Sequence, residues 1–208
     1  MSMAPVPIPK RHALGLPAGS IRAVLAFMEV VLVDIVLLVT TRQPVPVPIP
    51  PYLIYLLFMI LGHFFAAHGH SIGAGQHSPL YLPGGFFRIL LILALGGALV
   101  WRLVNDPAGL ETQFDKSVDE LKKQPYLPLI LLGGFFIGVM VRMIVGRDNP
   151  PMFLQDAEAW LSLLAVVGIS VAGIIHGIIN PNVDNPISMP NFEGFLAVMI
   201  AFYFGERS

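Results

Sequence analysis

The sequence predicts an all-α integral membrane protein, in which six transmembrane helices form three consecutive helical hairpins beside one amphipathic surface helix. Three observations support this fold class. Of the 208 residues, 55% are hydrophobic and only 12% are charged, whereas a soluble domain carries about 25% charged residues. Several apolar runs reach the roughly 17–25 residues that a helix needs to cross a bilayer. These runs lack the alternating pattern of a barrel strand.

The apolar runs are separated by clusters of proline and glycine, which interrupt helices. The predicted spans are 21–40, 52–67, 86–104, 126–145, 158–179 and 192–205. The second and sixth runs are short, so we expect them to draw on flanking residues such as Ile49 and Ile187. With six spans both termini lie on one side, where Lys and Arg near span ends number seven against five on the other. This bias predicts cytoplasmic termini in a bacterial cytoplasmic membrane.

The predicted organisation is a proline-rich surface segment over residues 1–20, followed by a single membrane domain over residues 21–208. The three hairpins of that domain are predicted at 21–70, 82–147 and 153–208. Leu, Pro, Gly and Arg recur at the same spacing in 16–22 and 82–88, and each instance opens a span. This favours duplication of a hairpin unit. The alternative is that such sequences are simply common where a chain enters the membrane.

The longest link between spans contains an amphipathic pattern that predicts a surface helix over residues 107–123. Leu110, Phe114, Val118 and Leu121 recur at helical spacing, and charged residues occupy the other faces. Such a helix lies flat at a membrane surface with its apolar stripe toward lipid. Packing of the same helix against the bundle is the other interpretation.

Two carboxylates, Glu29 and Asp34, fall inside the first predicted span. A charge at mid-membrane costs at least about 2.5–3.5 kcal/mol, so such groups are paired, protonated or exposed to water. Five residues correspond to about 140° around a helix, so we expect the two to have different partners. The predicted partners are His63, Arg142 and His176. An ion or proton path, a polar contact between helices or subunits and a misplaced span boundary all remain open.

Two further patterns concern metal binding and helix packing. His68 and His70 are weak candidates for metal ligands, but no Asp or Glu accompanies them between Asp34 and Asp106, so we expect no metal. Small residues recur within the predicted spans, which lets helix backbones approach closely, either within one chain or between subunits. These helix-packing candidates are Gly96, Gly97, Gly134, Gly138, Gly168, Gly173 and Gly177.

The sequence contains no pattern typical of a catalytic site. There is no cysteine, and the phosphate-binding, dinucleotide-binding and nucleophile motifs are missing. The net charge of −1 argues against nucleic acid as a partner. We therefore expect that the chain is not an enzyme and binds no cofactor. The expected partners are the lipid bilayer, other membrane proteins or further copies of the chain.

The predicted function is a non-catalytic subunit of a larger membrane assembly. The alternative is a homo-oligomeric pore or a proton- or ion-conducting protein that uses Glu29 and Asp34.

Overall fold

The computed structural model describes residues 13–16, 19–39, 47–66, 86–145, 152–183, 187 and 191–206. Within these residues every regular element is helical and there is no strand, which confirms the predicted all-α class. The helices are α1 (Ser20–Val39), α2 (Pro51–Ala66), α3 (Phe86–Asn105), α4 (Pro107–Lys123), α5 (Leu127–Val145), α6 (Met152–Ile174) and α7 (Phe192–Glu206).

Local sequence explains where several helices begin and end. Gly19 precedes α1 with φ of +81°, a conformation that glycine adopts without steric cost. Asp106 caps α4, because its carboxylate accepts a hydrogen bond from the backbone N of Gly109 at 2.9 Å. After α6 the helix continues through a π-helical turn, Ile175–Ile179, and a 3-10 turn, Asn180–Asn182. Pro181 lies in that last turn and has no backbone N–H to continue the ladder.

Two helices, α1 and α7, form the inside of the bundle. Helix α1 packs against α2, α3 and α6, and α7 packs against α2, α5 and α6. Helices α2 and α6 therefore lie between α1 and α7, while α3 and α5 lie outside them at opposite ends. The central positions of α1 and α7 are filled by fully buried apolar side chains such as Leu25, Ile200 and Phe204.

The predicted hairpins differ in how they pack. Helices α1 and α2 pack together, as do α6 and α7. Helices α3 and α5, predicted as the pair in hairpin 82–147, make at most a marginal contact within the described residues. The reason is that α4 separates them along the chain and each packs on a different central helix. The repeated segments at 16–22 and 82–88 lie partly outside the described residues.

Three helices are long and apolar enough to cross a membrane: Phe86–Asn105, Leu127–Ile144 and Phe153–Asn182. Helix α2 is apolar but shorter. Helix α1 carries three charged residues, and α7 has only 15 residues. Large apolar side chains cover the outer surfaces of the long helices, for example Leu93, Ile137 and Leu164. Length and composition thus support three of the predicted spans, and the total of six stays a prediction.

Helix α4 occupies the predicted range, but its buried face is not the predicted apolar stripe. Leu110, Gln113 and Ser117 are buried, whereas Phe114 and Val118 of the stripe are 43% and 47% exposed. Only Leu110 belongs to both faces. The helix therefore turns a largely polar face to the bundle and leaves Phe114 and Val118 of its apolar stripe exposed.

The polar face of α4 is buried because it forms hydrogen bonds with backbone groups of residues 47–50, which have no helical partner. The Gln113 side-chain amide donates to the carbonyl oxygen of Val47 at 2.9 Å, and the backbone N of Ile49 donates to Ser117 Oγ at 2.8 Å. Residues 47–50 are not helical, so their polar groups need partners from elsewhere. Helix α4 supplies them and thereby anchors the link between α1 and α2.

Candidate functional site

Glu29 lies at the middle of α1 and is almost completely buried, with 1% of its surface exposed. Neither carboxylate oxygen makes a hydrogen bond within the described residues. Buried carboxylates in folded proteins normally have a hydrogen-bond partner, because leaving one unsatisfied costs free energy. Glu29 is thus the most unusual side chain in the core.

Helices α1 and α2 pack together, with Glu29 at the middle of α1 and Tyr52 at the start of α2. The guanidinium Nη1 of Arg22 donates to His63 Nε2 at 2.9 Å, which fixes the antiparallel register of the two helices. In that register Glu29 lies opposite Leu56, about four residues or about 6 Å deeper in the bundle than Tyr52. Neither the Tyr52 hydroxyl nor the Glu29 carboxylate makes a hydrogen bond within the described residues.

A large crevice opens beside Tyr52, at the end of the bundle where α4 lies. We call it the α5–α7 crevice; its volume is about 1060 Å³. Its polar lining comes from Tyr52, Glu120, Lys123, Gln124, Tyr126, His176, Asn180, Asn191 and Glu193. Asn180 also closes the link before α7, because its amide pairs with the backbone N and carbonyl oxygen of Ile187 at 2.8 and 3.0 Å. The crevice therefore has a fixed wall with polar groups from four helices.

Asp34 faces a different cavity, the α1–α3 groove, which has a volume of about 610 Å³. The groove is lined by Asp34, Leu38, Val39, Ala94, Gly97, Ala98 and Trp101. Asp34 is partly exposed, and its Oδ1 is buried without a hydrogen bond from any described residue. Glu29 and Asp34 thus have separate surroundings, as their angular spacing on the helix implies.

The predicted partners of the two carboxylates take other positions. His63 accepts a hydrogen bond from Arg22 instead, so its Nε2 carries no proton, because a guanidinium only donates. Arg142 is near the C-terminal end of α5, a helix that packs on α7. His176 lines the α5–α7 crevice within the π-helical turn. None of the three makes a hydrogen bond to Glu29 or Asp34 in the described structure.

The glycines divide into two groups. On α5 and α6 they meet neighbouring helices: Gly134 and Gly138 face α7, Gly168 faces Leu196, and Gly173 and Gly177 face α1. On α3, a Cβ at Gly96 or Gly97 would have nothing within 4 Å. The first group therefore serves packing within the chain. The second group leaves open space, and Gly97 lines the α1–α3 groove.

No group of three or more His, Asp or Glu side chains suitable for a metal ion occurs within the described part of the chain. His68 and His70, the weak metal candidates, lie outside the described residues.

Comparison of the chain with family models, with curated proteins and with solved structures finds no match. The function must therefore be argued from the geometry alone.

Two features of the described structure were missed by sequence reasoning. Arg102 is fully buried, with Nη1 2.6 Å from Asp106 Oδ2 and Nη2 3.3 Å from Gln113 Oε1. The spacing of Arg102 and Asp106 by four residues was a readable signal for this pair. Tyr52 is one of several aromatic residues near the ends of predicted spans, and nothing in its local sequence distinguishes it from the others. Glu193 stands at the start of α7, and only the packing of α7 beside α2 gives it a role.

Proposed function

We propose that this chain is a non-catalytic integral membrane subunit that crosses the bilayer six times and binds another membrane protein through the α1–α3 groove. Support for the extra spans comes from packing. Helices α1 and α7 lie among α2, α3, α5 and α6, three of which are long and apolar enough to cross a membrane. A helix surrounded by spanning helices runs at the same depth, and its charged residues then face protein instead of lipid.

The observation that carries the subunit proposal is the buried Oδ1 of Asp34 in the α1–α3 groove, which has no hydrogen bond from any described residue. In lipid this group has no water to bond with, so leaving it unpaired is costly. Gly97, Ala94 and Ala98 keep one wall of the groove small, which lets a second helix approach closely. A transmembrane helix with a hydrogen-bond donor would fill the space and satisfy the carboxylate.

A pore or ion-conducting protein remains the second candidate, and the burial of Glu29 is the observation that favours it. A path that uses both carboxylates has less support, because Asp34 lines the α1–α3 groove whereas Glu29 is buried in the core and lines neither cavity. The subunit proposal needs only the α1–α3 groove, so the two functions are compatible.

The number of spans is tested by reporter fusions. A reporter at Ser208 and one at Lys116 should lie on opposite sides of the membrane, with Ser208 in the cytoplasm. If both reporters lie on the same side, an even number of spans separates them, so α7, the shortest of α5, α6 and α7, does not cross and the six-span topology is wrong.

The binding site is tested by placing a photo-crosslinking amino acid at Ala94, inside the groove, and at Ile137 on the outer face of α5 as control. We expect Ala94 to form an adduct with a transmembrane segment of a second polypeptide, and Ile137 to form none. Gly97→Leu should fill the groove and abolish the adduct, while Leu93→Trp, on the exposed face of α3, should preserve it. An adduct unaffected by Gly97→Leu, or no adduct at Ala94, contradicts the proposal.

A further inference from the structure

We propose that the α5–α7 crevice binds the headgroup of one phospholipid that carries a primary ammonium group, with an acyl chain of that lipid lying along α7. The occupant comes from the surrounding bilayer. The site is separate from the α1–α3 groove and does not depend on a partner bound there.

Three helices form the place for the acyl chain. Helices α5 and α6 both pack on α7, but within the described residues they make at most a marginal contact with each other. One side of α7 is therefore the floor of a groove whose walls are α5 and α6. Both walls are helices long and apolar enough to cross a membrane. A groove between two such helices opens to lipid.

Two cavities lie along this side of α7 and adjoin at Val198, which lines both. One is the α5–α7 crevice, at the end of the bundle where α4 lies, with a volume of about 1060 Å³. The other, which we call the α7 groove, has a volume of about 210 Å³. Most of its lining is apolar: Gly134, Ile137, Leu161, Val198, Met199 and Phe202. A wide polar cavity joined to a narrow apolar one matches a headgroup followed by an acyl chain.

The polar residues of the α7 groove lie at its far end and are engaged within the chain. Ser162 Oγ donates to the carbonyl oxygen of Ala159 at 2.9 Å. Glu158 and Tyr203 also interact with other groups of the protein. An acyl chain in this groove therefore leaves none of these polar groups newly unpaired.

The dimensions of the site fit a lipid. Tyr126, an exposed aromatic residue at the start of α5, lines the crevice and is typical of the headgroup level. From Glu193 in the crevice to Phe202 in the α7 groove the chain advances nine residues, or about 14 Å along a helix. Half of the hydrocarbon core of a bilayer is about 15 Å thick. The site therefore spans about one leaflet.

The width of the α7 groove favours a lipid over a helix of another protein. A helix with its side chains is about 10–12 Å across. The α7 groove has about 210 Å³, whereas the α1–α3 groove has about 610 Å³. A single acyl chain is much thinner than a helix, so it can enter the narrower space.

The charges in the crevice favour an ammonium group. Lys123 Nζ lies 2.6 Å from Glu120 Oε1, so these two charges compensate each other. Glu193 also lines the crevice and has no ion pair with any described residue. One negative charge is thus left at the cavity. A primary ammonium group can pair with this carboxylate and donate hydrogen bonds to it.

The phosphate of the same headgroup also has partners in the crevice. Lys123 has three N–H donors, and its contact with Glu120 uses one of them. Tyr52 lines the crevice and is 6% exposed, and its hydroxyl makes no hydrogen bond to any described residue. Glu193 and Gly194 lie in the first turn of α7, where backbone N–H groups have no partner within the helix. A zwitterionic headgroup therefore finds partners for both of its charges.

Native mass spectrometry of the protein released from vesicles measures the headgroup preference. The vesicles contain equal amounts of phosphatidylethanolamine, phosphatidylglycerol and phosphatidylcholine. We expect one retained phosphatidylethanolamine, bound at least fivefold more often than either other lipid. Glu193→Gln should abolish this preference. Glu111→Gln, which removes the same charge from an exposed position of α4 outside the crevice, is the matched control and should preserve it.

Cross-linking of the wild-type protein locates the acyl chain, and it keeps the proposal testable if Glu193→Gln does not fold. Phosphatidylethanolamine with a photoreactive acyl chain should label Ile137 and Phe202, and unlabelled phosphatidylethanolamine should displace that label. Label at Leu93, on the exposed face of α3, should be diluted only in proportion to the added lipid. A photo-crosslinking amino acid at Phe202 should capture lipid and no polypeptide.

Several outcomes would overturn the proposal. Equal retention of the three lipids, or preferred retention of phosphatidylglycerol, would contradict the role of the charge at Glu193. Equal losses in Glu193→Gln and Glu111→Gln would remove Glu193 from the site. Label at Phe202 that behaves like label at Leu93 would mean ordinary contact with bulk lipid. A polypeptide captured at Phe202 would mean that a protein occupies the α7 groove.

Discussion

The contact between α5 and α7 is close enough for one methyl group to disrupt it. A Cβ at Gly138 would collide with the carbonyl oxygen of Phe202 and lie 2.7 Å from the backbone N of Glu206. Both obstacles are backbone atoms of α7, so neither can rotate away as a flexible side chain could. Gly205 on α7 faces the carbonyl oxygen of Phe135 in the same way. The substitution Gly138→Ala must therefore push the two helices apart.

The size of the effect follows from overpacking. Forcing an extra methyl group into a well-packed contact costs about 1–3 kcal/mol. Since about 1.4 kcal/mol is a factor of ten, the ratio of folded to unfolded protein should fall roughly 5- to 150-fold. Because α7 fills the core between α2, α5 and α6, the loss should appear in the unfolding of the whole bundle.

The assay is unfolding in lipid–detergent micelles by titration with a denaturing detergent, followed by circular dichroism. Gly133→Ala is the matched control, because it lies on the same helix and its Cβ would have nothing within 4 Å. We expect that variant to change stability between zero and about 1 kcal/mol in the favourable direction, through helix propensity alone. Equal losses in the two variants, or a Gly138→Ala protein as stable as wild type, would refute the close contact between α5 and α7.

Three further predictions concern α4 and its surroundings. Asp106→Ala should destabilise the protein by more than the roughly 1 kcal/mol of a lost helix cap. The substitution also leaves the buried guanidinium of Arg102 without its partner carboxylate. Thermal unfolding in detergent measures the loss of stability. A spin label at Phe114 should be shielded from a water-soluble relaxation agent if the exposed stripe meets lipid, whereas a label on the next residue should not be. Lys122 holds the pKa of Asp119 below its ordinary value through a hydrogen bond and its positive charge. Any stabilisation from this exposed pair is therefore present at a pH above the ordinary pKa of Asp119. It is lost as the pH falls through the lowered pKa of the folded state. Lys122→Met should move the pKa of Asp119 upward in an NMR titration, and an unchanged value would mean that the pair does not persist in solution.

Sequence reasoning predicted the helices well because the signals for them are local. Apolar runs bounded by proline and glycine predicted the positions of α3 and α5, and the helical spacing of apolar residues from Leu110 to Leu121 predicted α4. The angular separation of Glu29 and Asp34 followed from helix geometry alone. Each of these inferences needs only residues that are neighbours along one helix.

The contacts between helices could not be predicted in the same way. Amphipathicity identified an apolar stripe on α4, but the face that is buried was selected by unpaired backbone groups in residues 47–50, far away in the chain. The partner of His63 was fixed by the register of α1 against α2, which no local pattern encodes. The α5–α7 crevice depends on four helices meeting at one end of the bundle, so no local pattern could predict that Tyr52 and Glu193 line the same cavity.

The central position of α7 has a consequence for how the protein is made. Helix α1 is synthesised before α7, and residues 40–191 separate the two helices. At about 5–20 residues per second, the ribosome needs roughly 8–30 s to produce that stretch. During this interval α2, α5 and α6 have no α7 to pack against, and the core positions later filled by Ile200 and Phe204 are empty. A nascent chain in this state should be a preferred substrate for membrane chaperones and for quality-control proteases, and a ribosome stalled before α7 should leave a product that is degraded.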